Sequence, residues 1–111
     1  MDYLSFADRI RYSIHKYVFS IGQGEDYETS WEKSLGNHSA DRIVIGEYGW
    51  EQEDSWWGQR FISWLKKKGI TDTCFWTLAK SDGTGGIYED DCTTFHWDKY
   101  HLLRSLWGYE L

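Results

Sequence analysis

The amino-acid sequence predicts an α/β fold in which parallel strands alternate with helices. Three short stretches of β-branched, apolar or aromatic residues, near positions 10–15, 42–47 and 73–78, are each followed by a segment with helical periodicity. The intervening segments are long enough to hold a helix, which a crossover between parallel strands requires. A chain of 111 residues suits one small domain built from these elements.

The first predicted unit joins a strand at 10–15 to a helix at 25–35. The strand is rich in residues that favour a pleated surface, and Gly22 and Gly24 interrupt the chain after it. Three residues of the helix recur at every fourth position and therefore share one face: Tyr27, Trp31 and Leu35. We expect this face to pack against the sheet.

The second predicted unit contains the most apolar strand. The strand predicted over 42–47 contains an uninterrupted apolar run, residues 43–45, as expected for a strand covered on both faces, and it ends in Gly46 and Glu47. The helix predicted over 54–68 has four residues in its buried stripe: Trp57, Phe61, Trp64 and Leu65. Gly69 ends this helix, and the three lysines before it suit the negative end of the helix dipole.

The third predicted unit has a strand at 73–78 and a helix at 97–107. A polar, glycine-rich loop of the sequence AKSDGTGGIYEDDCTT separates them. The helix is expected to bury three residues that lie in register: Tyr100, Leu103 and Trp107. Strand and helix therefore alternate three times along the chain.

The composition argues against two classes of partner. The formal net charge is -6 and no stripe of basic residues is present, so we expect no binding to nucleic acid. No apolar run approaches the roughly 18 residues of a membrane span, and we expect no membrane partner. The first ten residues have neither a basic start nor an apolar stretch, so we expect no signal peptide in this chain.

The metal-binding and disulfide signals are weak, and we expect neither a metal nor another cofactor. A zinc site would have to use Cys92, His96 and His101 with the distant Cys74, a spacing that matches no familiar closed site. The two cysteines allow a disulfide without specifying one. The triplet that begins at Asn37 fits a glycosylation sequon, a pattern that is frequent by chance.

The residues at the predicted strand tips suggest a binding site. Ligands of parallel α/β folds lie beyond the carboxyl ends of the strands. The first tip offers His15 and Tyr17, the second Glu47 and the third Trp76. A flat ring that stacks, a carboxylate that attacks and polar groups that align it suit a carbohydrate. Each residue also has an ordinary interpretation, as a solvated carboxylate, a buried histidine or a core aromatic.

Four motifs occur in the order and spacing typical of one family. The stretches IRYSIHKY, VIGEYGW, FWTL and SDGTGGIYEDD, between residues 10 and 91, resemble the last three units of family 5 glycoside hydrolases, a group that contains many cellulases. The resemblance implies a partial (β/α)8 TIM barrel of three parallel βα units, strands six to eight, with outer helices. It also implies that residues 1–111 form a single C-terminal fragment of the catalytic domain, from an extracellular protein.

The resemblance also assigns roles to the tip residues. Glu47 is expected to be the nucleophile of a retaining reaction, with His15 and Tyr17 binding substrate and holding the nucleophile. Trp76 is expected to be the platform on which a sugar stacks. The loop at 83–86 would shape one end of the cleft, and residues 90–91 would fix that loop; the substrate would be a β-linked glucan or oligosaccharide.

Part of the family pattern is missing. A retaining enzyme needs a second carboxyl as acid/base, which the family carries in an Asn-Glu pair on its fourth strand, and the sequence has no such pair. Cys92 follows Asp91 where the family usually has Trp. We therefore expect the isolated chain to be inactive and to need a complementary barrel chain that carries the missing units. Its open sheet edges also allow self-association, but neither two nor three copies of the chain give eight strands. Two alternatives stay open: a non-catalytic carbohydrate-binding or structural remnant, and an unrelated α/β domain.

Overall fold

A computed structural model describes residues 9–80 and 84–108. Within these residues three strands form one parallel sheet in the order β1-β2-β3, as predicted. The strands alternate with α-helices along the chain. The elements are β1 (Tyr12–Lys16), α1 (Tyr27–Leu35), β2 (Ile43–Tyr48), α2 (Ser55–Lys68), β3 (Thr73–Phe75) and α3 (Trp97–Trp107).

The core lies between the helices and one face of the sheet, and it is largely aromatic. Trp57 and Phe61 of α2 are fully buried and stack with their ring centroids 4.9 Å apart. Trp31 of α1 meets both rings edge-on. Ile43 and Ile45 of β2 complete the centre of this cluster. The helical faces predicted for α1 and α2 are therefore the buried ones, and much of the tryptophan content serves the core.

Glycines end the helices where the sequence places them. Gly36 follows α1 with φ 58°, and Gly69 follows α2 with φ 74°. A positive φ is a conformation that glycine adopts without steric cost. At the start of α1, Asp26 caps the helix by accepting a hydrogen bond of 3.0 Å from the backbone N–H of Thr29.

Two details of the third unit differ from the prediction. The strand ends at Phe75. The Trp76 N–H still donates a hydrogen bond of 2.7 Å to the Tyr48 carbonyl, and the chain bends away at this residue. Helix α3 buries Lys99, Leu103 and Leu106, whereas Trp107 remains 36% exposed. The helix is rotated relative to the prediction: Lys99, which the predicted stripe does not include, points into the protein.

The described residues contain no helix long and apolar enough to cross a bilayer. Cys74 and Cys92 are both free and exposed. Within residues 9–80 and 84–108 no three His, Cys, Asp or Glu side chains are arranged to hold a metal ion.

Candidate functional site

An irregularity in β2 determines where Glu47 points. Ile14 pairs with Ile45, but the next residue of β1, His15, pairs with Glu47, so Gly46 is an extra residue on β2. Such a bulge reverses the alternation of side chains beyond it. In a regular strand Glu47 would share the helix-covered face with Ile45. The bulge instead leaves Glu47 half-buried at the sheet end and turns the following residue, Tyr48, into the core.

Glu47 is held by Tyr17. The Tyr17 hydroxyl donates a hydrogen bond of 2.6 Å to Oε2 of Glu47, the short distance expected for a charge-assisted bond. Tyr17 lies just beyond β1 and is only 6% exposed. Burial, followed by the contact with the Glu47 carboxylate, raises the pKa of the Tyr17 hydroxyl well above its ordinary value. Tyr17 is therefore a donor across the whole physiological pH range.

His15 lies beside the same carboxylate but is held less tightly. Its Nδ1 is 4.0 Å from Oε1 of Glu47, and its side chain is 57% exposed. Gly46 makes room for this arrangement, because a Cβ there would lie 2.3 Å from Ser13 Oγ and 3.2 Å from His15 Nε2. The glycine before Glu47 therefore lets side chains of β1 lie across β2.

Trp76 is at the same end of the sheet as Glu47. It directly follows β3, and its backbone N–H binds the carbonyl of Tyr48, the neighbour of Glu47. The two strand ends touch closely, since a Cβ at Gly49 would lie 2.1 Å from the Trp76 carbonyl oxygen. The Trp76 side chain is 44% exposed. The predicted gathering of His15, Tyr17, Glu47 and Trp76 at one end of the sheet is therefore present.

The loop after β3 is tied to the loop after β2 by a buried lysine that sequence analysis did not identify. Lys99 of α3 is 1% exposed, and its ammonium donates hydrogen bonds to the carbonyls of Trp50, at 2.5 Å, and Gly86, at 2.9 Å. Burial lowers the pKa of Lys99. A lysine in the middle of an amphipathic pattern gives no sign in sequence that it is buried.

Only part of the predicted cleft loop is described. Gly83 lies outside the described residues, as do the neighbouring positions 81 and 82. Asp91 braces the turn that follows, accepting hydrogen bonds from the backbone of Thr93 and Thr94 at 2.9 Å each. The hydrogen bond from the Thr94 hydroxyl, followed by those from the two backbone N–H groups, lowers the pKa of Asp91. These bonds stay within the turn at 91–94, so the expectation that residues 90–91 fix the loop at 83–86 stays a prediction.

The remaining acids near Glu47 belong to the connection between β2 and α2. Glu53 and Asp54 lie in a short 3-10 helix, Gln52–Asp54, that leads into α2. Glu51, which precedes it, forms an ion pair of 3.7 Å with Lys80. The connecting segment thus fixes the position of each of these carboxyls, and none of the three forms a described hydrogen bond with Glu47.

Comparison of the sequence with known proteins identifies a relative of defined activity. No protein-family model matches the chain. The major extracellular endoglucanase of Xanthomonas campestris pv. campestris is 34% identical over 85 residues, which cover 70% of this chain. The chain spans only 18% of the length of that endoglucanase.

Comparison of the structure with solved structures gives the same result. The catalytic domain of the Xanthomonas endoglucanase superposes with a TM-score of 0.63 and 34% identity, over 72% of this chain and 25% of the domain. A cellulase–inhibitor complex matches with a TM-score of 0.72 and 27% identity, over 87% of this chain and 31% of the other.

A Pyrococcus horikoshii endocellulase variant, solved with cellotetraose, matches with a TM-score of 0.70 and 28% identity. The match covers 86% of this chain and 31% of the endocellulase. Sequence and fold therefore agree with the motifs. The chain is homologous to a part of the catalytic domain of the cellulases of glycoside hydrolase family 5.

Proposed function

We propose that this chain supplies the nucleophile side of a retaining β-glucan hydrolase. In this proposal residues 1–111 form a single C-terminal part of a (β/α)8 catalytic domain, and β1, β2 and β3 are its strands six, seven and eight. The observation that carries the proposal is the hydrogen bond of 2.6 Å between Tyr17 and Glu47 at the end of a parallel sheet. The relationship to endoglucanases supports the choice of reaction.

The proposed reaction begins with attack by Glu47. A carboxylate oxygen bonds the anomeric carbon of the sugar as the glycosidic bond breaks, and water later hydrolyses the glycosyl-enzyme. Tyr17 holds Oε2 of Glu47, which leaves Oε1 to attack. His15, near Oε1 and largely exposed, is placed to contact the sugar. Trp76 would stack on the sugar ring through its exposed face.

The leaving oxygen needs a proton from a second carboxyl about 5–5.5 Å from the nucleophile. The acids nearest in sequence, Glu51, Glu53 and Asp54, follow the nucleophile on the β2–α2 connection. In the proposal the acid comes from the other barrel units, carried by another segment or another chain. General-acid assistance is worth about 10²–10⁴-fold, so these 111 residues alone should turn over substrate very slowly.

The proposed substrate is a β-linked glucan. One related endocellulase was solved with cellotetraose, and an exposed tryptophan beside a carboxylate suits such an oligosaccharide. We propose that the chain acts outside the cell, as the related Xanthomonas endoglucanase does. Its substrate there would be a polymer too large to enter cells.

The test is reconstitution of the barrel. The 111-residue chain is mixed with a chain carrying the first five βα units of the Xanthomonas endoglucanase catalytic domain, and release of the aryl group from an aryl β-cellobioside is measured. We expect saturable turnover only when both chains are present. Glu47→Gln should abolish it, whereas Glu53→Gln, a matched change on the adjoining connection, should leave it nearly unchanged.

Binding of cellotetraose to the chain alone, measured by calorimetry, provides a second readout. Turnover by the chain alone that Glu47→Gln abolishes would show that the acid lies within these residues. Reconstituted turnover that is indifferent to Glu47→Gln would contradict the nucleophile assignment. Binding without any turnover in the mixture would favour a non-catalytic carbohydrate-binding role.

A further inference from the structure

A groove on the outer side of the helices is separate from the strand tips. It has a volume of about 470 Å³ and lies between α1 and α2. Its lining includes Glu28, Trp56, Gln59, Arg60, Ser63 and Lys67. Among the described residues no hydrogen bond, ion pair or ring contact joins this lining to Glu47, Tyr17 or Trp76, so the groove is a second candidate site.

The tryptophan in the lining of this groove packs against an anchored tyrosine. Trp56, near the start of α2, is 45% exposed, and its ring meets Tyr27 edge-on at 5.7 Å between centroids. Tyr27 is anchored by a hydrogen bond of 2.7 Å from its hydroxyl to the Val18 carbonyl. The Arg60 guanidinium lies 6.0 Å from the Tyr27 ring centroid. The contact with Tyr27 supports one edge of the Trp56 ring, which reduces the conformational entropy that the ring loses when a ligand stacks on it.

The walls of the groove offer polar groups that are not used within the protein. The side chains of Glu28, Gln59 and Ser63 make no hydrogen bond or ion pair with other described residues, so their donors and acceptors are available. The far end is fixed, because the Trp64 indole N–H donates to Glu32 at 3.0 Å and Glu32 pairs with Lys68 at 2.6 Å.

We propose that this groove binds a neutral β-glucan chain, as an auxiliary site remote from the strand tips. The class of ligand rests on the proposed function. A flat ring flanked by an amide, a hydroxyl and a carboxylate matches the apolar face and the hydroxyl edge of a glucose unit. One acidic and two basic groups line the groove, so its electrostatic potential is too nearly neutral to select a polyanion. The net charge of -6 on the chain also disfavours a polyanion.

The test measures binding of the 111-residue chain to hydroxyethylcellulose by affinity electrophoresis and to cellotetraose by calorimetry. Trp56→Ala should weaken binding to the polymer about tenfold, because it removes a large ring surface. Trp56→Tyr should retain most of the affinity, since a ring face remains. Trp97→Ala is the matched control: this tryptophan is 62% exposed on α3, and its removal should change the affinity less than about twofold.

The outcomes separate the groove from the strand tips. If Trp56→Ala binds the polymer as the native chain does while Trp76→Ala loses it, the groove is refuted and the proposed function stands. If Trp56→Ala loses the polymer while Trp76→Ala binds all ligands normally, the groove stands and the role of Trp76 as a stacking platform fails. A stronger, salt-sensitive binding to polygalacturonate, or a dimer in sedimentation that Trp56→Ala dissociates, would refute a neutral glucan as the occupant.

Discussion

The two faces of the sheet differ in what covers them. On one face Ile43, Ile45 and Tyr48 are at most 2% exposed, beneath the aromatic rings of the helices. On the other face Ser13 and His15 of β1 and Cys74 of β3 are exposed. Parallel sheets in proteins are normally covered on both faces. The chain therefore builds one complete core and one open, mostly polar surface.

This difference separates the residues that hold the fold together from those of the candidate site. The helix-covered face supplies nearly all of the buried apolar surface. Glu47 and His15 lie on the open side and contribute little to packing, with side chains 32% and 57% exposed. We therefore expect substitutions on the two faces to have very different effects on stability, and the predictions below go from the largest effect to the smallest.

The largest effect is expected for Trp57→Ala. Trp57 is fully buried and contacts Phe61, Trp31 and Trp50, so its truncation leaves a cavity at the centre of the core. The free energy of unfolding should fall by about 3–5 kcal/mol, enough to unfold much of the population. The matched change on the open face, His15→Ala, should alter it by less than about 0.5 kcal/mol. Urea denaturation measures both, and similar losses would remove the distinction between the faces.

The helix-covered face could be largely predicted from the sequence, because periodicity reports burial directly. The positions of Trp57, Phe61 and Trp64 at helical spacing identified their common face, and the glycines marked the helix ends. The failure on α3 has a physical cause. Lys99 interrupts an apolar pattern, and its burial depends on two carbonyls that come from distant loops.

The sequence predicted which residues belong to the candidate site but not how their side chains are arranged. The motif that contains Glu47 named the residue, and its place after an apolar run put it at a strand end. The extra residue at Gly46, which turns Glu47 away from the helices, depends on the register with β1. Register is a relation between two strands, so one strand's sequence does not reveal it. The resemblance to a known family, and not periodicity, linked Tyr17 with Glu47.

An intermediate effect is expected for Lys99→Met, because Lys99 connects the helix layer to the loops beside the site. The substitution keeps a long side chain but leaves the carbonyls of Trp50 and Gly86 without their donor. The free energy of unfolding should fall by about 1–3 kcal/mol, and amide exchange should accelerate in the loop at 84–88. The control is Lys66→Met, an exposed lysine near the end of α2, which should change neither quantity. Unchanged exchange in the loop of Lys99→Met would show that the lysine does not hold it.

The pH dependence of stability provides a separate check on Lys99. Burial lowers its pKa below the ordinary value of 10.5, so between the lowered pKa and 10.5 the unfolded chain binds more protons than the folded chain. The contribution of Lys99 to stability must therefore rise with pH across that window. Subtracting the curve of Lys99→Met from that of the native chain cancels the other titrating groups. A difference that falls with pH in this window would mean that the ammonium is not buried.

The smallest effect concerns the two partners of Glu47 on β1 and just beyond it. Tyr17 donates a hydrogen bond of 2.6 Å to Oε2, whereas His15 lies 4.0 Å from Oε1 and is 57% exposed. A double-mutant cycle with Tyr17→Phe and Glu47→Gln should give a coupling free energy of about 1 kcal/mol at neutral pH, since the bond is charge-assisted but only partly buried.

The parallel cycle with His15→Ala and Glu47→Gln should give less than about 0.5 kcal/mol, because solvent screens the exposed pair. Chemical denaturation of the six chains, including the native one, provides all the values. Equal couplings, or a larger one for His15, would mean that the histidine and not Tyr17 orients the carboxylate. A coupling only for Tyr17 would identify its hydroxyl as the group that orients the carboxylate. Tyr17 is 6% exposed and its ring stacks on that of Phe19, which holds the hydroxyl in position to reach Glu47.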